Sequence, residues 1–156
     1  MPVTGYLGLI KYLLLLLLFL PALAEPEEQA FWIPREGSEI ESYLPRDENL
    51  RKHGVLYHKK IAHPGEEVRA RDILSQLYRD LDRSTLLGVK DVEWGDNPAT
   101  LISFRGAVGA KELLGRAVVY QGEGESEVLL LVRAPEADPR LLENFEKLRK
   151  SHPFQI

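Results

Sequence analysis

Residues 115–154 constrain this chain more than any other stretch. Two segments rich in Val and Leu, 116–120 and 127–132, flank Gly122-Glu-Gly-Glu-Ser126. Branched apolar residues suit a pleated sheet, and the glycines between them tolerate turn geometry, so the pattern predicts a hairpin. The run Val128-Leu-Leu-Leu-Val132 has no polar alternation. A strand apolar on both sides is covered on both faces, which places it inside a sheet rather than at its edge. Pro135 stops it, and Asp138-Pro139 opens a helix whose apolar face is Leu141, Leu142, Phe145 and Leu148. Asp138 suits the N-cap and Pro139 the first helical position, while Lys147, Arg149 and Lys150 complement the negative end of the helix dipole.

The first 24 residues form a separate unit. Lys11 precedes a short leucine-rich core, and Pro21 breaks it before Ala22-Leu23-Ala24. This is the pattern of a cleaved signal peptide. The apolar run after Lys11 is about 13 residues, against the roughly 20 a spanning helix needs. An uncleaved anchor is the alternative. The chain has no cysteine, so it carries no disulfide framework, lipid-attachment thiol or thiol chemistry. A periplasmic or secreted address is expected, with no stable membrane span after cleavage.

Export leaves 132 of the 156 residues, enough for one domain with one core, and loss of Lys11 takes the net charge from −4 to −5. A mildly acidic chain without a basic stripe is a poor nucleic-acid binder. Residues 25–30 read as a flexible leader and 31–156 as a single α+β domain. Phe31 and Trp32 begin it, as a plug at one end of the core or as the lining of a pocket. Residues 35–50 read as a loop with one short strand or helical turn. Residues 53–62 alternate as a strand.

Pro64-Gly65 leads into a second amphipathic helix. Glu66 and Glu67 sit in its first turn, Ala70, Ile73, Leu74, Leu77, Tyr78 and Leu81 form its stripe, and Arg79 and Arg83 lie near its end. Gly88 is then a C-cap or turn residue. Residues 89–94 and 99–105 read as strands about Gly95-Asp-Asn-Pro98, where Pro98 argues against the simplest two-residue hairpin. Residues 106–115 bend or extend the second of these. Strand pairs without intervening helices predict an antiparallel meander.

Gly115-Arg-Ala-Val-Val-Tyr120, the run from Val128 to Pro135 and the segment from Leu142 to Phe154 resemble the PsbP/Mog1-like superfamily. Its members pass from a final strand pair to a closing helix that ends near a Ser-Phe pair; here His152 and Pro153 stand between Ser151 and Phe154. The resemblance implies an α/β/α sandwich, a mainly antiparallel sheet flanked by two helices. It also implies a non-catalytic accessory or binding role, although fold alone does not fix function.

Candidate chemistry is sparse. His53, His58 and His63 are spaced by five, so neighbours fall on opposite strand faces, and no acid is interleaved to complete a metal site. Solvated or hydrogen-bonded histidines are the expectation. Glu123, Glu125 and Glu127 read as solubilising carboxylates on an exposed hairpin, without a calcium-loop pattern. There is no Gly-x-Ser-x-Gly elbow, and Gly122-Glu-Gly-Glu carries negative charge where a phosphate would sit. No catalytic, cofactor-binding or metal-binding residue is assigned, and no cofactor. Three functions remain: a non-catalytic accessory protein docking on an envelope protein, a carrier of an apolar ligand lined by Phe31, Trp32, Trp94 and Tyr120, or a hydrolase built on one of the three histidines.

Overall fold

The computed structural model describes residues 29–62, 81 and 83–156. The signal peptide, residues 25–28 of the leader, His63 and the body of the helix expected from Glu66 onward lie outside them. The elements are β1 (Trp32–Pro34), β2 (Ser42–Pro45), β3 (Gly54–Ala62), β4 (Arg83–Trp94), β5 (Asn97–Val108), β6 (Lys111–Gln121), β7 (Glu125–Arg133) and α1 (Pro139–Leu148). The seven strands form one antiparallel sheet in the order β1-β2-β3-β7-β6-β5-β4. β1 to β3 make one meander and β4 to β7 another, and β7 closes the second onto the first by pairing with β3.

β7 therefore lies inside the sheet, as its unbroken apolar run requires. Leu129 and Leu131 point to one face and are fully buried, while Val128 and Leu130 point to the other and are buried too. The first face carries the larger core. Leu56, Val118, Leu101, Trp32 and Trp94 meet Leu141 and Phe145 of α1 there. On the second face Ile102, Phe104, Ala117 and Val119 pack with Val128 and Leu130, and Leu81 lies against them.

The closing helix forms as its local signals dictate. The Asp138 carboxylate accepts the Arg140 backbone N–H at 2.9 Å, and Pro139 occupies the first turn. Of its apolar residues, Leu141 and Phe145 are wholly buried.

Several local readings are corrected. Arg83 does not end a helix and Gly88 does not cap one; both belong to β4, whose pairing with β5 begins at Arg83–Ala107. β4 and β5 are joined by the two residues Gly95 and Asp96, with Trp94 opposite Asn97. Gly95 takes φ +58°, the left-handed region a tight turn needs. Pro98 is harmless because β5 pairs with β6 only from Thr100–Val119 onward, so its missing N–H leaves no gap in that ladder. Residues 106–115 are neither a bend nor a simple extension. They complete β5, turn at Gly109 and Ala110, and begin β6. Gly115 allows a close approach: the Phe104 ring lies over it, and a Cβ there would fall 1.9 Å from a ring carbon. Residues 35–50 hold the one short strand expected there, β2, which pairs with both β1 and β3.

Among the described residues there is one helix. The described fold is thus a mainly antiparallel sheet carrying α1 on one face.

Candidate functional site

The most polar part of the interior lies on the helix-bearing face, where the chain following α1 returns to the sheet. Glu127 is the second residue before Leu129 on β7, so the strand's period of two turns its carboxylate inward with the core leucines. It is 5% exposed, which corrects the reading of Glu127 as a solvated hairpin carboxylate. Two histidines hold it. His58 on β3 donates from Nε2 to Glu127 Oε1 at 2.7 Å, and His152 donates from Nε2 to Glu127 Oε2 at 2.7 Å.

The network continues at both ends. His58 Nδ1 lies 3.0 Å from Glu41 Oε2, and Tyr43 donates its phenolic O–H to Glu41 Oε1. The Asn97 side-chain amide donates to His152 Nδ1 at 3.2 Å. Both nitrogens of His58 therefore face carboxylate oxygens, which in the ionised form only accept.

Burial alone would push the Glu127 carboxyl up. The hydrogen bonds from His58 and His152, with their electrostatic pull, outweigh it and hold the group below the ordinary glutamate range. Glu41 behaves in the same way: desolvation raises it, but hydrogen bonds from Tyr43 and His58 bring it down overall. Tyr43 is pushed well up, by desolvation first and then by the Glu41 carboxylate that its hydroxyl serves.

Apolar contacts fix the same segment. The Trp94 indole donates to the Ser151 carbonyl at 3.0 Å, and Gly95 N–H to the Arg149 carbonyl at 2.8 Å. Trp94 and Tyr120 meet the His152 ring at centroid distances of 5.1 and 4.6 Å. Phe154 stacks on His58 at 4.4 Å and packs edge-on against Tyr43 at 5.5 Å. Beside this network a cleft of about 310 Å³ opens between Lys60, Tyr120, Glu123, Glu125 and Pro153, with Glu127 and His152 in its wall.

The four residues considered as a ligand lining are placed as follows. Trp32 and Trp94 are 2% and 0% exposed and belong to the helix-side core. Phe31 packs edge-on against Trp32, and Tyr120 borders the 310 Å³ cleft. Of the three histidines read on or near β3, His58 joins the network and His53 lines a separate cleft at the other end of that strand. Among the described residues no group of His, Cys, Asp or Glu is arranged to hold a metal ion.

Glu41, Asn97, Glu127 and His152 were not singled out from sequence as members of one network with His58. One signal was present: Glu127 shares the period-two face of Leu129 and Leu131, so an inward carboxylate needing a buried partner follows from the strand reading itself.

Chemically, this chain of groups links Tyr43 to His152 through continuous side-chain hydrogen bonds. Each ring nitrogen of His58 and His152 faces a side chain of the network.

No protein-family model and no curated protein matches the sequence. Solved structures match the fold. The chain is similar to PA94 of Pseudomonas aeruginosa, a protein of unknown function described as a candidate regulator, with a TM-score of 0.52, 14% identity and coverage of 85% of this chain and 88% of that one. It is also similar to the cyanobacterial PsbP protein, CyanoP, of Synechocystis sp. PCC 6803, with a TM-score of 0.50, 13% identity and coverage of 79% of each chain. The relationship to PsbP is one of fold.

Proposed function

We propose that this chain is a non-catalytic accessory protein of the cell envelope, exported by its N-terminal leader, which docks on an envelope protein partner. One observation carries the reading: the buried acid–histidine network is spent on holding the segment after α1 against the sheet. Every ring nitrogen in it is engaged by a side chain of the same network, so its polar groups secure a surface rather than await a substrate. The PsbP-like fold supports the same direction. The cleft beside Tyr120 and Pro153, edged by Lys60, Glu123 and Glu125, offers a mixed-charge rim to a polypeptide, the character of a docking rim rather than of an apolar ligand cavity.

The test has two parts. Mass spectrometry of the protein recovered from the envelope fraction should find a chain beginning at Glu25; a full-length chain retained in the membrane would overturn the exported form. A photo-cross-linking side chain introduced at Glu123 or Lys60, exposed at the cleft, should give one dominant adduct with an envelope protein. Its absence, with adducts only from sites on the opposite sheet face, would overturn the docking role.

A further inference from the structure

β4 is the outermost strand of the sheet, and among the described residues nothing pairs with its free edge. Its first nine residues, 83–91, are all exposed. They include Leu86, Leu87 and Val89, which are 48%, 54% and 48% exposed. Long apolar edge strands are templates for further pairing, and proteins ordinarily guard them with charge, irregularity or cover.

The register shows how the apolar groups are arranged. Leu86 pairs with Phe104 and Val89 with Ile102, and the shift between Leu86 and Gly88 leaves Leu87 as an extra, bulged residue. Phe104 and Ile102 lie on one face of β5. Leu86 and Val89 therefore share that face although they are an odd three positions apart, and the half-exposed Val108 extends the strip. Arg83 begins the strand, and Lys90, Asp91 and Glu93, net acidic, lie near its end, with the apolar residues and Gly88 between. Such a strand is complementary to its own reverse.

We propose that β4 pairs antiparallel with β4 of a second copy, about a two-fold axis passing beside Leu87 and Gly88, so that two seven-stranded sheets join. In this register Leu86 meets Val89 of the partner subunit on the shared face, Thr85 lies opposite Lys90 of the partner subunit, and Arg83 approaches the partner's acidic end. The two bulges fall at the axis, where each copy accommodates the other's extra residue. Gly88 leaves the centre open, since nothing lies within 4 Å of where its Cβ would be.

The absence of cysteine makes the test clean. In the chain as recovered from cells, Gly88→Cys should form a disulfide-linked dimer under mild oxidation, whereas Glu136→Cys, in the loop before α1, should not. Sedimentation of the unmodified chain should show a reversible dimer. The double substitution Leu86→Lys and Val89→Lys should weaken it by about tenfold or more, because each lost contact is lost twice across the axis, with the urea unfolding midpoint of the monomer unchanged. A chain that sediments as a monomer throughout, a dimer that Glu136→Cys traps and Gly88→Cys does not, or a dimer untouched by the double substitution would each overturn the proposal.

Discussion

Two apolar runs in this chain look alike on paper and end in opposite surroundings. Val128-Leu-Leu-Leu-Val132 in β7 and Leu86-Leu-Gly-Val89 in β4 are both strand segments without polar alternation. In the first, Leu129 and Leu131 are 0% exposed; in the second, the leucines are about half exposed. The difference is position in the sheet order. β7 has β3 on one side and β6 on the other, a core on each face, and α1 above; among the described residues β4 has one neighbour and no helix over its first nine residues. Hydropathy sets what a strand can bury, and topology sets what covers it.

That contrast can be broken by substitution. Leu129→Ala should cost about 2–5 kcal/mol, the range for a buried leucine whose cavity cannot collapse, read as a lowered urea midpoint; a cost below about 1 kcal/mol would mean that β7 is not packed on both faces. Gly115→Ala tests the second face, where the added methyl must displace the Phe104 ring. It should cost about 1–3 kcal/mol as overpacking, and Phe104→Leu in the same chain should recover part of the loss. No recovery would sink the account of that close approach.

The polar network sharpens the comparison from the buried side. Glu127→Gln should cost about 1–3 kcal/mol at neutral pH, since His58 and His152 lose a charged acceptor, and nuclear magnetic resonance should show the Phe154 ring losing its shielding by His58. The Glu127 and Glu41 carboxyls titrate lower in the folded chain than in the unfolded one, so below the ordinary value near 4.5 the unfolded state binds more protons. The stability they supply is complete above that pH and drains away as pH falls through the folded values. The difference in stability between the parent chain and Glu127→Gln should therefore shrink on acidification below about 4.5; a difference that stays constant down to pH 2 would contradict the assignment. The smallest effect is at the other strand: Leu87→Ala should change monomer stability by no more than about 0.5 kcal/mol, and a loss like that of Leu129→Ala would show β4 to be covered.

How far each element was legible follows the range of the interactions that make it. α1 was read with its cap, its first-turn proline and its buried Leu141 and Phe145, because each signal lies within four residues of its effect. β7 was read as interior from composition alone. β4 was half read: Ser84 to Gly88 suits a helix end as well as a strand, and only its ladder with β5 settles the matter. The 106–115 segment failed in the same way, since Gly109-Ala110 marks a turn only once Val108 and Lys111 are known to pair.

The candidate site was the least legible part. The pattern placed His58 on a strand and offered hydrogen bonding as its fate, but its partners lie 17 residues away at Glu41 and 69 at Glu127, and His152 meets Glu127 across 25. Local patterning by itself determined the helix, the interior strand and the alternation that turns Glu127 inward, because periodicity and capping act through near neighbours. Only the tertiary structure decided that this carboxylate would meet two histidines and that one apolar run would be buried while its counterpart stayed exposed. Pairing order and distant contacts are not written in any single segment; they arise when the whole sheet assembles.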